Sequence, residues 1–171
     1  LKARAPGGFE GGLRAAAGAL DRRLKADAAQ TVCHGDPKDA NMLFAEDGAV
    51  AFVDFQWAGK ATPAKDVAYC LACTSSGLAV SEEEVYLSHY HHQLQALLEE
   101  QRDEAPSLSA LRVSYHLAMC DLARWMAGWG WWGNVRLLQH HAQSLLQELQ
   151  LDPETATEED YDSRVFAVFP P

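Results

Sequence analysis

Two short strings hold the side chains able to do chemistry together: His34-Gly35-Asp36-Pro37-Lys38-Asp39-Ala40-Asn41 and Asp54-Phe55-Gln56. Moving a phosphoryl group from ATP to a hydroxyl needs a carboxylate that orients the hydroxyl and takes its proton. It also needs two ligands that hold magnesium against the nucleotide phosphates. Asp36 and Asn41 stand at the separation of the kinase pattern H-R-D-x-x-x-x-N, in which the Asp is the base and the Asn binds metal. The second metal ligand should be a carboxylate on a strand that pairs beside this loop, and Asp54 follows the apolar run 49–53. Magnesium takes a few oxygen ligands besides phosphates and waters, so one Asn and one Asp suffice without a Cys or His cage. Lys38 is placed to offset charge on the transferred phosphoryl group, and reads equally well as a solvated surface lysine.

The elements that must position these groups are short. Thr31-Val32-Cys33, Met42-Leu43-Phe44 and the run 49–53 are β-prone, and Glu46-Asp47-Gly48 between the last two is a hairpin signal. The reactive residues therefore fall on a small hairpin and on the loops at its ends. Upstream, Leu13, Ala16, Ala17, Leu20 and Leu24 recur at helical spacing and predict a helix over 13–28, while the Gly and Pro of residues 1–12 predict a linker or mobile lead-in. Beyond Pro63 the spacing predicts helices over 64–73, from Ser81-Glu82-Glu83-Glu84 to about 102, from Pro106-Ser107 to 129, and over 134–151. From Asp152 the acidic, Thr-rich segment ending in Pro170-Pro171 predicts a poorly ordered tail. The fold class is α+β, mainly α, with one folded unit over 13–151. A chain of 171 residues that is 48% hydrophobic is long enough to bury one core.

The strings HGDPKDANMLF and VDFQWAGKATPAKDVAYCL resemble the catalytic segment of the aminoglycoside phosphotransferase and choline kinase superfamily, most of all its ecdysteroid-kinase-like (CHK-type) branch. The resemblance covers residues 32–71. It implies a protein-kinase-like C-terminal lobe with Asp36 as catalytic base and Asn41 and Asp54 as the ligands of the nucleotide-bound magnesium. It also implies that His34 orients the loop and that Asp66 of Asp66-Val67-Ala68-Tyr69 supports it. After Pro63, Asp66 reads as well as an acidic residue in the first turn of a helix. The nucleotide-covering loop and strand lysine of an N-terminal lobe are not visible, and Gly7-Gly8…Gly11-Gly12 follows no predicted strand and reads as linker. The expected function is ATP- and magnesium-dependent phosphorylation of a small-molecule alcohol, carried here as the C-terminal lobe. The alternative is a catalytically inactive kinase-like interaction module.

The totals narrow the partners. A formal net charge of −10 argues against a nucleic acid or an acidic membrane, and favours a metal-bound nucleotide or a cationic small molecule. Cys33, Cys70, Cys73 and Cys120 lie in apolar stretches without a disulfide framework, which predicts a reducing, cytoplasmic setting. Cys70-Leu71-Ala72-Cys73 has zinc-like spacing but no second pair, so two small buried residues are the simpler reading. Neither His89, His91 and His92 nor His140 and His141 form a recognised metal pattern. Four of the five tryptophans fall within 125–133, where they read either as packing for the helical part or as the aromatic wall of a substrate pocket. Nothing in the sequence sets the oligomeric state.

Overall fold

The computed structural model describes residues 9–74 and 77–171. Six helices make up the body: α1 (Phe9–Lys25), α2 (Ala64–Thr74), α3 (Glu83–Glu100), α4 (Leu108–Trp129), α5 (Val135–Leu149) and α6 (Glu158–Val168). Helix α4 lies at the centre because it is apolar on more than one face. Leu111, Tyr115, Leu117, Met119, Ala123 and Met126 are all buried, and α1, α2, α3 and α5 pack around it. It starts where Pro106-Ser107 predicts: Ser107 is extended, and its hydroxyl accepts from the Ala110 amide at 3.1 Å. Ser107→Ala is expected to cost about 1 kcal/mol of stability, read as a shift in urea midpoint with unchanged slope.

Two expectations at the ends of the chain are corrected. Residues 1–8 of the expected lead-in lie outside the described residues, but Phe9–Gly12 already form the first turn of α1. Gly12 there serves packing. A Cβ on Gly12 would fall 2.9 Å from Leu146 Cδ2, so glycine is what lets α1 approach α5 closely. At the other end, the expected tail folds as α6. Thr157 and Asp160 form a reciprocal cap, with the Asp160 amide donating to Thr157 Oγ1 and the Thr157 amide to Asp160 Oδ2. Tyr161, Val165 and Phe169, spaced four apart, then bury one stripe of the helix against the body. Buried Arg23 of α1 holds the end, donating from Nε to the Phe169 carbonyl at 2.6 Å and from Nη2 to that of Pro170 at 2.8 Å.

The strands form two separate antiparallel pairs. Strand β2 (Met42–Phe44) pairs with β3 (Val50–Phe52) in the register Met42↔Phe52 and Phe44↔Val50, as the hairpin signal predicts. Strand β1 (Thr31–Cys33) pairs with β4 (Gly59–Ala61), which its Gly-Lys-Ala sequence does not predict. These pairs stand at the edge of the helical body and leave much apolar surface open: Val32 is 80% exposed, Phe44 67% and Phe55 59%. Such a run of exposed apolar side chains is uncommon on the surface of a soluble monomer. Among the described residues no helix is long and apolar enough to cross a membrane.

Candidate active site

The loop between β1 and β2 is fixed from three sides. Asp66, in the first turn of α2, accepts from the His34 amide at 2.6 Å and from the Gly35 amide at 3.0 Å, so one carboxylate clamps two consecutive backbone N–H groups. The His34 ring bonds the Val53 carbonyl through Nε2 at 2.9 Å and the Asp36 amide through Nδ1 at 3.2 Å, and lies against the rings of Phe52 and Phe55. Gly35 has φ +85, and a Cβ there would fall 2.3 Å from the Trp57 carbonyl oxygen. Glycine is therefore required both for the turn and for the close passage of the chain. His34 thus ties the loop to the hairpin, and Asp66 ties it to α2.

Asp36 points into the enclosed side of this loop and is 7% exposed. Lys38 Nζ reaches its Oδ2 at 2.7 Å, Asn41 Nδ2 reaches the same oxygen at 2.8 Å and the Asp36 carbonyl at 2.9 Å, and the Tyr69 phenol donates to the same carboxylate. Burial alone would push the Asp36 carboxyl up, but Lys38, Tyr69 and Asn41 outweigh it and hold the group below the usual carboxylate range. The bond to Asp36 in turn raises Lys38, and burial with Asp36 raises Tyr69, so both stay protonated as donors. A carboxylate offers about four lone-pair positions. Three donors leave it room for one more, such as an acceptor hydroxyl.

Asn41 and Asp54 are brought side by side by the ladder, since the Val53 amide donates to the Asn41 carbonyl at 3.0 Å. Asn41 gives its amide nitrogen to Asp36, which leaves the side-chain oxygen as its remaining donor toward a ligand. Asp54 is an exposed residue at φ 63, ψ 63, a left-handed conformation that Asp tolerates better than most residues. Among the described residues its carboxylate accepts a 3.4 Å contact from Gln56 Nε2 and acts electrostatically on Lys38. Two hard oxygen donors, one neutral and one anionic, suit magnesium that keeps waters and phosphates as its other ligands. Among the described residues no three His, Cys, Asp or Glu side chains gather at one point that could hold a metal ion.

A cleft of about 770 Å³ opens from Asp36. Trp57, Trp125 and Trp132 wall it, with Tyr69 beside the carboxylate. The tryptophan-rich segment thus divides its labour: Trp132 meets Trp125 edge-on at 5.3 Å along the cleft, whereas Trp131 stacks on Phe9 of α1 at 6.5 Å. Cys33 also borders the cleft, but burial pushes its thiol up to about 11, so no thiolate nucleophile is available there. Sequence reasoning did not single out Tyr69 as a donor to Asp36, nor Asp121 of α4, whose carboxylate accepts from Arg124 Nη2 at 2.6 Å and meets Lys65 Nζ at 3.0 Å. Tyr69 had a usable signal, since in the run Asp66-Val67-Ala68-Tyr69 the two polar residues are three apart and share a helix face.

No curated protein and no solved structure matches the chain. The profile of the phosphotransferase enzyme family matches residues 3–104, which takes in the loop of Asp36, the hairpin, Asp54 and Asp66. That match covers more than half of the sequence, and the chain belongs to the phosphotransferase enzyme family.

Proposed function

We propose that this chain is the C-terminal lobe of a kinase that moves the γ-phosphoryl group of ATP to the hydroxyl of a small molecule, with magnesium held by Asn41 and Asp54. The observation that carries the reading is the state of Asp36: a nearly buried carboxylate, kept ionised by three donors, at the head of a cleft large enough for a small molecule. In that role Asp36 accepts the hydroxyl hydrogen and aligns the oxygen on phosphorus. The O–H bond breaks as the new P–O bond forms, the proton passes to the carboxylate, and ADP leaves with the electrons of the cleaved P–O bond. Bound magnesium supplies charge neutralisation for the nucleotide phosphates. Lys38, bridging from Asp36 toward the charge of Asp54, adds a cation where negative charge gathers on the transferred group. His34 and Asp66 are positioning residues that act through the loop backbone.

The lobe assignment is supported by the open apolar side chains of the hairpin and of the loop after it, notably Phe44, Val50, Phe52 and Phe55. A nucleotide-covering lobe seated there would remove them from water. The test is calorimetric titration of magnesium and ATP against this chain and against a form extended upstream of Leu1, each with its Asp54→Ala variant. Binding is expected for the extended form and at least about tenfold weaker binding after Asp54→Ala, the loss of one charged metal ligand corresponding to roughly 1.4 kcal/mol or more. Absence of binding by either form would leave the alternative, a kinase-like interaction module without catalysis.

A further inference from the structure

The charges in the cleft are not those of the chain as a whole. Against a net charge of −10 overall, the lining carries Lys38, Lys60, Lys65 and Arg124, opposed by three carboxylates, Asp36, Asp66 and Asp121. Each carboxylate is already engaged. Asp36 is taken by Lys38, Asn41 and Tyr69, and Asp66 by two backbone amides. Asp121, itself 6% exposed, binds two cations at once, Arg124 on its own helix and Lys65 at the start of α2. That trio keeps one positive charge in excess. Lys60, on β4 opposite Val32, is a further cation and makes no ion pair among the described residues, so with the charge of Asp66 counted the lining carries one cation in surplus. A cationic amine entering on the side of Lys60, Lys65 and Arg124 would find no carboxylate without a partner there, and the surplus cation would disfavour it. An oxyanion would meet a cation in surplus, and the three tryptophans would cover a flat apolar skeleton.

We infer that the acceptor of this site is an alcohol that also bears an oxyanion, such as a carboxylate, on a flat apolar body. The hydroxyl goes to Asp36 and the anion to the Lys60, Lys65 and Arg124 side of the cleft. The inference rests on the reading of Asp36 as the base of a hydroxyl phosphorylation, and it reverses the preference for cations that the net charge suggests. Lys60, Lys65 and Arg124 are distinct from the cation proposed for the phosphate end of the site, Lys38, which interacts with both Asp36 and Asp54.

The test is calorimetric binding of three probes that share one skeleton, run without nucleotide: 6-(hydroxymethyl)-2-naphthoate, its uncharged carboxamide and the corresponding aminomethyl compound. The acid is expected to bind about tenfold more tightly than the amide, the scale of one well-made charge-assisted contact, and the amine more weakly than the amide. Lys60→Gln and Arg124→Gln should each weaken the acid several-fold and leave the amide unchanged. Added Mg-ADP should not displace the acid. Equal affinities, preference for the amine, no detectable binding of the acid at millimolar concentration, or competition by Mg-ADP would each overturn the inference. Because no nucleotide takes part in the first comparison, the two readings fail separately. A chain that binds Mg-ATP without preferring the acid loses only this inference, and one that prefers the acid but never binds Mg-ATP keeps the anion subsite and loses the kinase.

Discussion

Replacing Asp36 by Asn is expected to lower phosphoryl transfer by about 10³-fold while leaving Mg-ATP affinity within a few-fold of the parent, the range observed when a positioned general base is lost. The size follows from what the carboxylate does and what an amide cannot. Asparagine has nearly the same shape, so the loop held by Asp66 and His34 keeps its backbone bonds. Its side chain cannot take a proton, and its NH₂ cannot receive the bonds that Lys38 and Asn41 now give to Oδ2. Lys38 also loses its partner and becomes a free cation beside the transferred group. That change favours phosphate binding without helping the hydroxyl, so the defect should appear in kcat and not in the Michaelis constant for ATP. The measurement is steady-state kinetics on the form that binds Mg-ATP, with circular dichroism to verify the fold. Activity retained within tenfold of the parent would move the base elsewhere and remove the mechanistic reason for reading this loop as catalytic.

The loop of Asp36 and the hairpin were legible in the sequence because their geometry is local. A glycine at positive φ, an Asp and Asn held in one turn, and a Glu-Asp-Gly reversal each impose their own conformation, whatever packs around them. Strand β4 was not legible for the opposite reason. Gly-Lys-Ala has little β-preference and is extended because Thr31–Cys33 supplies the ladder opposite it. Helix α6 was hidden by composition: acidic and Thr-rich residues outweighed Tyr161, Val165 and Phe169, although those three lie on one helical stripe, and the same Thr and Asp that suggested disorder form its cap. At the site, Asp121 was beyond reach because its partners lie on two elements. Arg124 is local to it, but Lys65 arrives from α2 through the packing of α2 on α4. Long-range polar pairs leave no periodic trace in a sequence.

The strongest such case is a buried polar chain between α3, α4 and α5, and it predicts acid sensitivity. Glu83, 6% exposed at the start of α3, accepts from the Tyr115 hydroxyl and from His141 Nε2 at 2.9 Å. His141 Nδ1 faces His116 Nδ1 at 2.8 Å, so the two rings share one proton between them. The other ring nitrogen of His116, Nε2, faces the Cys120 thiol at 4.0 Å. A second proton there would be poorly received. Burial, then His141 and His140, depress the His116 pKa to about 4, and the nearest carboxylate, Glu148, stands 3.9 Å away and half in water. The ordinary histidine value is 6.5, so between these two values the unfolded chain binds more protons than the folded one. Stability from this group is complete above about pH 6.5 and is lost as pH falls toward 4. Between pH 7 and pH 5 the loss is on the order of 2 kcal/mol. His116→Gln keeps a donor for His141 but does not titrate in that interval. Urea unfolding of both proteins at the two pH values should show the parent losing about 2 kcal/mol more than the variant, the common losses from carboxylates such as Asp36 cancelling in the difference. Equal losses would mean that His116 is protonated without penalty in the folded chain, and that the Glu83–His141–His116 chain carries its proton in another arrangement.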